Sequence, residues 1–281
     1  MPVFFNYDSR LLEAGTPILS PESRVARYAD GIFETIRVHQ GKMPLWDRHF
    51  DRLLRGLQAL KLSLPAHLGK DQLAAEILKL ADRNRHLPHA RIRLTMFRGD
   101  GGLYDPVSPI AHYTIQSWAL PDYYRTINQN GLALCVYDRH RKMADGLAAL
   151  KTNNALLYVL AALHAKELQC NEALVLNHRG SIADASIANL FWFEGTQVYT
   201  TPLEDGPVAG VMREALSDIA RDSGRPVLEK SIDQLALETA DGIFLTNALY
   251  GLRWVGSLGS ARFRPGPPMA FYEQWISRIF P

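Results

Sequence analysis

The chain is poor in cysteine, with only Cys135 and Cys170 in 281 residues. Two thiols in no motif exclude a disulfide-stapled framework and fit a reducing compartment. A charge bias is missing as well. Thirty-one basic against 29 acidic side chains leave a formal net charge of +2, so neither a polyanion such as nucleic acid nor a membrane surface is expected as a partner. No run is long and uncharged enough to span a bilayer, and the opening Met1–Asp8 has neither the basic head nor the apolar stretch of a secretory leader. The expectation is a soluble, cytoplasmic protein.

Several common chemistries are also missing. There is no His-Glu-x-x-His, no Cys-x-x-Cys pair and no EF-hand loop, so no metal site is expected. A Walker lysine loop and a Gly-x-Ser-x-Gly elbow are lacking too. Gly99, Gly101 and Gly102 follow a strand pattern but open no helix, which makes them a tight turn and not a dinucleotide fingerprint.

What is present reads as a mixed α/β protein. Segments 3–6, 32–38 and 42–45 have strand character, the last two separated by a Gln40-Gly41 turn. From Asp47 the spacing of Phe50, Leu53, Leu54, Leu57 and Leu60 predicts a helix, and a second is expected over 70–84. Strands follow at 90–97 and 112–118. A polar stretch with Pro121 suggests a linker over 119–131, dividing a smaller N-terminal domain (1–118) from a larger one (132–281). The second part alternates: strands at 132–137, 173–177, 189–193, 197–200, 226–228 and 242–246, with helices over 153–168 and after Gly210.

A few residues have two readings each. Lys151 follows an apolar approach at a helix start; it is either a desolvated amine suited to a Schiff base or a lysine whose stem packs while its head reaches water. Arg52 shares a helix face with His49, as a phosphate clamp or as part of a solvated basic face. Gly210 opens a helix, either as an anion site or as a plain cap. Asn247 ends a strand beside Thr246, as a ligand contact or a turn former. Asp184, among small residues, is either buried and paired or closing an Asx turn.

In order and spacing these features resemble the class IV aminotransferases, over nearly the whole chain. Tyr28-Ala29-Asp30-Gly31 is similar to the family's Tyr/Phe-Gly-Asp-Gly signature, and His49-Phe50-Asp51-Arg52-Leu53 to its His-x-x-Arg-Leu helix. Asp184–Phe191 resembles its Glu-x-x-x-x-Asn-Leu/Val-Phe segment, and Gly210-Val211-Met212-Arg213 its phosphate-binding turn. The resemblance implies a two-domain α/β enzyme of fold type IV, like D-amino acid aminotransferase, with pyridoxal 5′-phosphate (PLP) as cofactor. By resemblance Lys151 is the Schiff-base lysine, Arg52 and the amides of Val211 and Met212 bind the phosphate, and Asp184 faces the pyridine nitrogen. Asn247 and Ala248 join the cofactor contacts. Arg37, Arg98 and Tyr104 are candidates for the substrate side, and a homodimer is implied.

Two departures stand out. Ala29 replaces the first signature glycine, a mild change if φ there is negative. Asp184 replaces a glutamate, so reaching the ring calls for a backbone shift or a bridging water. Among the family's activities, the branched-chain enzymes typically carry Gly-Asn-Tyr after the lysine, where this chain has Asn153-Asn154-Ala155. The D-amino acid enzymes use a Pro-Arg-x-His turn, and Arg98–Pro106 does not match it. The lyase branch shares Arg-Gly-x-Gly-Gly at 98–102, Ala-Asn-Leu-Phe-Trp at 188–192 and Asn-Ala-Leu at 247–249. The expected substrate is therefore a small-molecule amine, 4-amino-4-deoxychorismate, split to pyruvate and 4-aminobenzoate. The alternatives are an aminotransferase acting on an amino acid and a PLP-binding protein with little catalysis.

Overall fold

A computed structural model describes residues 3–280; Met1 and Pro2 of the opening run, and Pro281, lie outside the described residues. The chain forms two compact units, Met1–Pro121 with Lys151–Asn154, and Asp122–Leu150 with Ala155–Pro281.

The first unit contains β1 (Phe4–Tyr7), β2 (Arg10–Glu13), α1 (Arg24–Tyr28), β3 (Gly31–Val38), α2 (Trp46–Ala59), α3 (Lys70–Arg83), β4 (Ala90–Arg98) and β5 (Ala111–Ala119). Its five-stranded sheet runs β2-β1-β5-β4-β3, leaving β3 at an edge. Alternation decides which face is inside. Ile32, Ile36 and Val38 of β3, Ile92, Leu94 and Met96 of β4, and Tyr113 and Ile115 of β5 are buried with Phe50, Leu53 and Leu57 of α2 and Leu73, Ile77 and Leu80 of α3 in one core. Full burial of each such side chain is worth about 1.5–3 kcal/mol.

Three expectations need correction here. Residues 42–45 form no strand: His39 and Lys42 make an isolated bridge around Gln40 (φ 50) and Gly41 (φ 74). Two left-handed residues make the tight reversal that pairs adjacent strands, but Pro44 has no N–H to continue a ladder, and α2 begins at Trp46. Ala29 does not have negative φ. It closes α1 at φ 52, ψ 31, a left-handed position that costs a residue with a Cβ about 1–2 kcal/mol. Nor does Lys151 start a helix; it is extended, for the reason given below, and the next helix begins at Leu156.

The second unit contains β6 (Leu132–Lys142), α4 (Leu156–Glu167), β7 (Glu172–Asn177), β8 (Ile182–Ala185), β9 (Asn189–Glu194), β10 (Gln197–Thr200), α5 (Val211–Asp222), β11 (Leu228–Glu229), α6 (Gln234–Leu237), β12 (Gly242–Asn247), β13 (Gly251–Leu258) and β14 (Ala261–Arg262). Helix α7 (Gly266–Phe271) continues through a π-helical turn (Tyr272–Ile276) into α8 (Ser277–Ile279). The sheet order is β11-β10-β9-β12-β13-β6-β7-β8, with β14 on β13. Strands β7, β8 and β9 are buried along nearly their whole length, and uniform burial erases the alternation that would have marked β8 in the sequence. Among the described residues no helix is long and apolar enough to cross a membrane, and no group of three or more His, Cys, Asp or Glu could hold a metal ion.

Restoring glycine at position 29 relieves the left-handed alanine but loosens the unfolded chain. Ala29→Gly is expected to stabilise the protein by about 0.5–1 kcal/mol, read as a higher urea midpoint; a lower midpoint would contradict the strain at this cap.

Candidate active site

Lys151 is held by backbone pairing along the edge of β3. The Phe33 N–H donates to the Lys151 carbonyl at 2.9 Å, the Asn153 N–H donates to the Gly31 carbonyl at 2.9 Å, and Thr152 bridges antiparallel to Ile32. Backbone groups spent on a strand edge cannot make helical hydrogen bonds, so residues 151–154 stay out of the helix that follows. Gly31 permits the close approach: a Cβ there would lie 2.4 Å from the Met96 carbonyl oxygen and 2.7 Å from Asn153 Nδ2. The half-buried Lys151 places its Nζ 4.6 Å from the centre of the Phe33 ring.

On the inner face of β3, next to Phe33, Glu34 is a fully buried carboxylate. His49 and Arg52, three residues apart on the inward face of α2, both serve it. Arg52 donates through Nε to Oε1 (2.8 Å) and through Nη2 to Oε2 (2.5 Å), and His49 Nδ1 lies 2.7 Å from Oε2. Burial pushes the Glu34 carboxyl up, but Arg52 and the hydrogen bonds from both partners outweigh it and bring it down to about 2. Burial lowers His49 despite Glu34, with the charges of Arg52 and Lys151 adding to the effect. A neutral His49 therefore carries its proton on Nδ1 and donates it to Glu34. The result is a guanidinium with one fixed orientation.

The opposite face of β3 carries Phe33, Thr35 and Arg37, and register sets Arg93 opposite Thr35 and Arg91 opposite Arg37. The Arg93 guanidinium lies 3.8 Å from the Phe33 ring centre, and Arg37 Nη2 sits 3.0 Å from His39 Nδ1. Burial, then the charge of Arg91, lowers the pKa of Arg93. Arg91 and Arg93 were missed in the sequence, although the alternation Arg91-Ile92-Arg93-Leu94 already put both on one face. Arg98 is elsewhere: it donates to Asp30 (3.0 Å) and to the carbonyls of Lys61 (3.3 Å) and Leu60, tying down the end of β4. Tyr104 is 87% exposed, its ring 5.6 Å from that of Tyr28.

In the second unit Asp184 lies on β8, 2% exposed. Its Oδ2 accepts the Val208 N–H at 2.9 Å and the Tyr158 hydroxyl at 3.0 Å. Lys142 Nζ stands 3.5 Å from the same oxygen and also donates to the Tyr158 hydroxyl oxygen. Neither Lys142 nor Tyr158 was singled out in the sequence; the signal available was a lone tyrosine in the apolar run that becomes α4.

Val211 and Met212 open α5 behind Gly210, with no side-chain cap, so their N–H groups and the helix dipole can receive an oxyanion. A Cβ on Gly210 would fall 1.9 Å from Asn189 Oδ1, which keeps this turn bare. At the end of β12, Thr246 is fully buried and its hydroxyl has no hydrogen-bond partner; such an orphan is costly unless a ligand completes it. The Asn247 side chain closes a turn, accepting from the N–H groups of Leu249 (3.0 Å) and Tyr250 (3.1 Å), so Asn247 and Ala248 have only their backbone to offer. The bare helix amides and the buried Thr246 hydroxyl, both in the second unit, suit an oxyanion such as a phosphate ester.

The fold is that of the fold type IV PLP enzymes. The branched-chain aminotransferase of Thermoproteus uzoniensis superposes with a TM-score of 0.89 at 24% identity, covering 100% of this chain and 95% of that one. The profile of the amino-transferase class IV family matches residues 31–258, and the chain belongs to that family of PLP-dependent enzymes. An aminodeoxychorismate lyase of Vibrio harveyi is 28% identical over 242 residues, 84% of this chain and 86% of that protein. A D-alanine aminotransferase of Bacillus licheniformis is 24% identical over 280 residues, 95% of this chain and 92% of that protein.

Glu34 ionises at a lower pH in the folded than in the unfolded protein, so its stabilising effect is complete above the unfolded value of 4.5 and is lost as pH falls toward about 2. Glu34→Gln is expected to cost about 3–5 kcal/mol at pH 7, because it removes the charge that offsets a buried guanidinium, and to flatten stability between pH 4.5 and 2. Urea titrations at both ends of that window check this; parallel pH profiles for the two proteins would exclude it.

Proposed function

We propose that the protein is a 4-amino-4-deoxychorismate lyase. The observation that carries the reading is the basic sheet face beside Lys151. Pyruvate and 4-aminobenzoate each keep a carboxylate, so their parent carries two. Arg37, Arg91 and Arg93 supply cations on the face that bears Phe33, and the cross-strand partners of Arg91 and Arg93 are Arg37, Trp118, Thr35 and Gln116, none of them an acid. The turn 98–102 and the segments 188–192 and 247–249 support the lyase, as does the V. harveyi relative. An aminotransferase is the second reading, favoured by the B. licheniformis relative.

In this proposal Lys151 Nζ holds the cofactor covalently. Arg52, oriented by Glu34, and the amides of Val211 and Met212 bind its phosphate, with the Thr246 hydroxyl and the backbone at Asn247 and Ala248 completing that subsite. Asp184 is the acid on the side of the ring nitrogen. The cofactor supplies the carbonyl that captures the substrate amine and a ring that accepts electrons. The Lys151 amine would take the substrate-ring proton whose removal, with cleavage of the ring carbon–oxygen bond to the pyruvyl group, aromatises the ring. Arg93 and its neighbours hold the carboxylates.

A second copy of the chain is the proposed partner. Leu156, Val159 and Leu163 of α4 are 65%, 51% and 52% exposed, an apolar stripe at helical spacing that water alone disfavours. A cytoplasmic setting fits two free thiols.

Incubation with 4-amino-4-deoxychorismate is expected to yield 4-aminobenzoate, and Lys151→Ala to lose the yellow band of the bound cofactor and about 10³-fold or more in rate. Robust amino transfer to 2-oxoglutarate with no 4-aminobenzoate would sink the lyase reading. Light scattering is expected to give about twice the 31.5 kDa chain mass, falling to one chain in the double variant Val159→Glu, Leu163→Glu. An unchanged mass in that variant would rule out α4 as the contact.

A further inference from the structure

The surroundings of Asp184 differ from those of an acid reserved for a ring nitrogen. Three groups from three different segments already converge on its carboxylate: the Val208 N–H from the turn before α5, the Tyr158 phenol from α4 and the Lys142 ammonium from the end of β6. The lysine is itself 9% exposed and touches both the phenol oxygen and the carboxylate.

A carboxylate raises the proton affinity of a nearby pyridine nitrogen by its negative charge. Here a buried ammonium offsets that charge at 3.5 Å, in surroundings where screening by water is weak. We propose that Lys142 is a positioning and charge-compensating residue of the ring subsite: with Tyr158 it fixes Asp184 and cancels its field, leaving the ring nitrogen of the bound cofactor unprotonated. The inference rests on the reading of Asp184 as the ring-facing acid. Burial, then the charge of Asp184, holds the Tyr158 phenol well above the ordinary tyrosine range, so the phenol remains a hydrogen-bond donor to the carboxylate. An unprotonated ring is a weaker electron sink. That suits a reaction driven by aromatisation of the substrate better than one that depends on the ring to stabilise a carbanion.

The holoenzyme reconstituted with PLP labelled with ¹⁵N in the ring separates the possibilities, because the nitrogen resonance reports protonation directly and without turnover. The wild type is expected at the unprotonated position. Lys142→Met, which keeps the stem and removes the charge, should raise the ring-nitrogen pKa by about one unit or more and move the signal toward the protonated position, and Lys142→Arg should restore it. A protonated nitrogen in the wild type overturns the proposal even if Lys142→Met fails to fold, and so does a signal that Lys142→Met leaves in place. Failure of the wild type to bind PLP at all would overturn both this assignment and the cofactor reading. Amino transfer in place of 4-aminobenzoate release, with the resonance behaving as expected, would remove the lyase alone and leave the role of Lys142 supported.

Discussion

Two backbone hydrogen bonds, from Phe33 N–H to the Lys151 carbonyl and from Asn153 N–H to the Gly31 carbonyl, are the constraint on which the rest of the first unit's chemistry depends. They fix a lysine without using its side chain, which stays available for reaction. They bring Asn153 close to Gly31, where a Cβ would meet both Asn153 Nδ2 and the Met96 carbonyl of β4. As successive residues of β3, Phe33 and Glu34 point to opposite faces. One meets Lys151 and Arg93; the other meets His49 and Arg52.

Glu34 in the first unit and Asp184 in the second are both buried carboxylates, and the two are treated differently. Glu34 is answered by a bidentate guanidinium and a neutral imidazole, an arrangement that makes a rigid cationic fork out of a long flexible side chain. Asp184 is answered by an amide, a phenol and an ammonium held at longer range. The first network orients a cation. The second sets how much negative charge an anion projects. Both give their central acid polar partners in a place where an unpaired charge would be costly.

The residues that local pattern can mark were legible in the sequence. Amphipathic spacing located α2 and α3 to within a residue or two at each end, and Gly210 does precede a helix whose first amides are bare. What stayed hidden depends on partners distant in the chain. The extended segment at Lys151 looks like a helix start because its apolar approach runs into α4; only the edge of β3, more than a hundred residues earlier, holds it open. Lys142 and Tyr158 have meaning only beside Asp184, and nothing local records that β6, α4 and β8 meet. Strand β8 was invisible because burial on both faces leaves no period to read. The left-handed Ala29 was hidden for the opposite reason: the sequence offered an ordinary residue where the backbone demands an unusual one.

The segment that carries Lys151 also has a consequence for how the chain can be made and divided. Strand β3 is the edge of its sheet, and an edge with open N–H and C=O groups is a template for the wrong partner. Residues 151–154 cover that edge at Gly31 and Phe33, yet they are synthesised after the rest of the first unit and part of the second. A nascent or truncated chain ending at Pro121 therefore presents an uncapped strand. The same four residues that hold the reactive lysine act as the stopper against strand-to-strand association, so the first unit reaches its closed form only when its neighbour has begun to emerge.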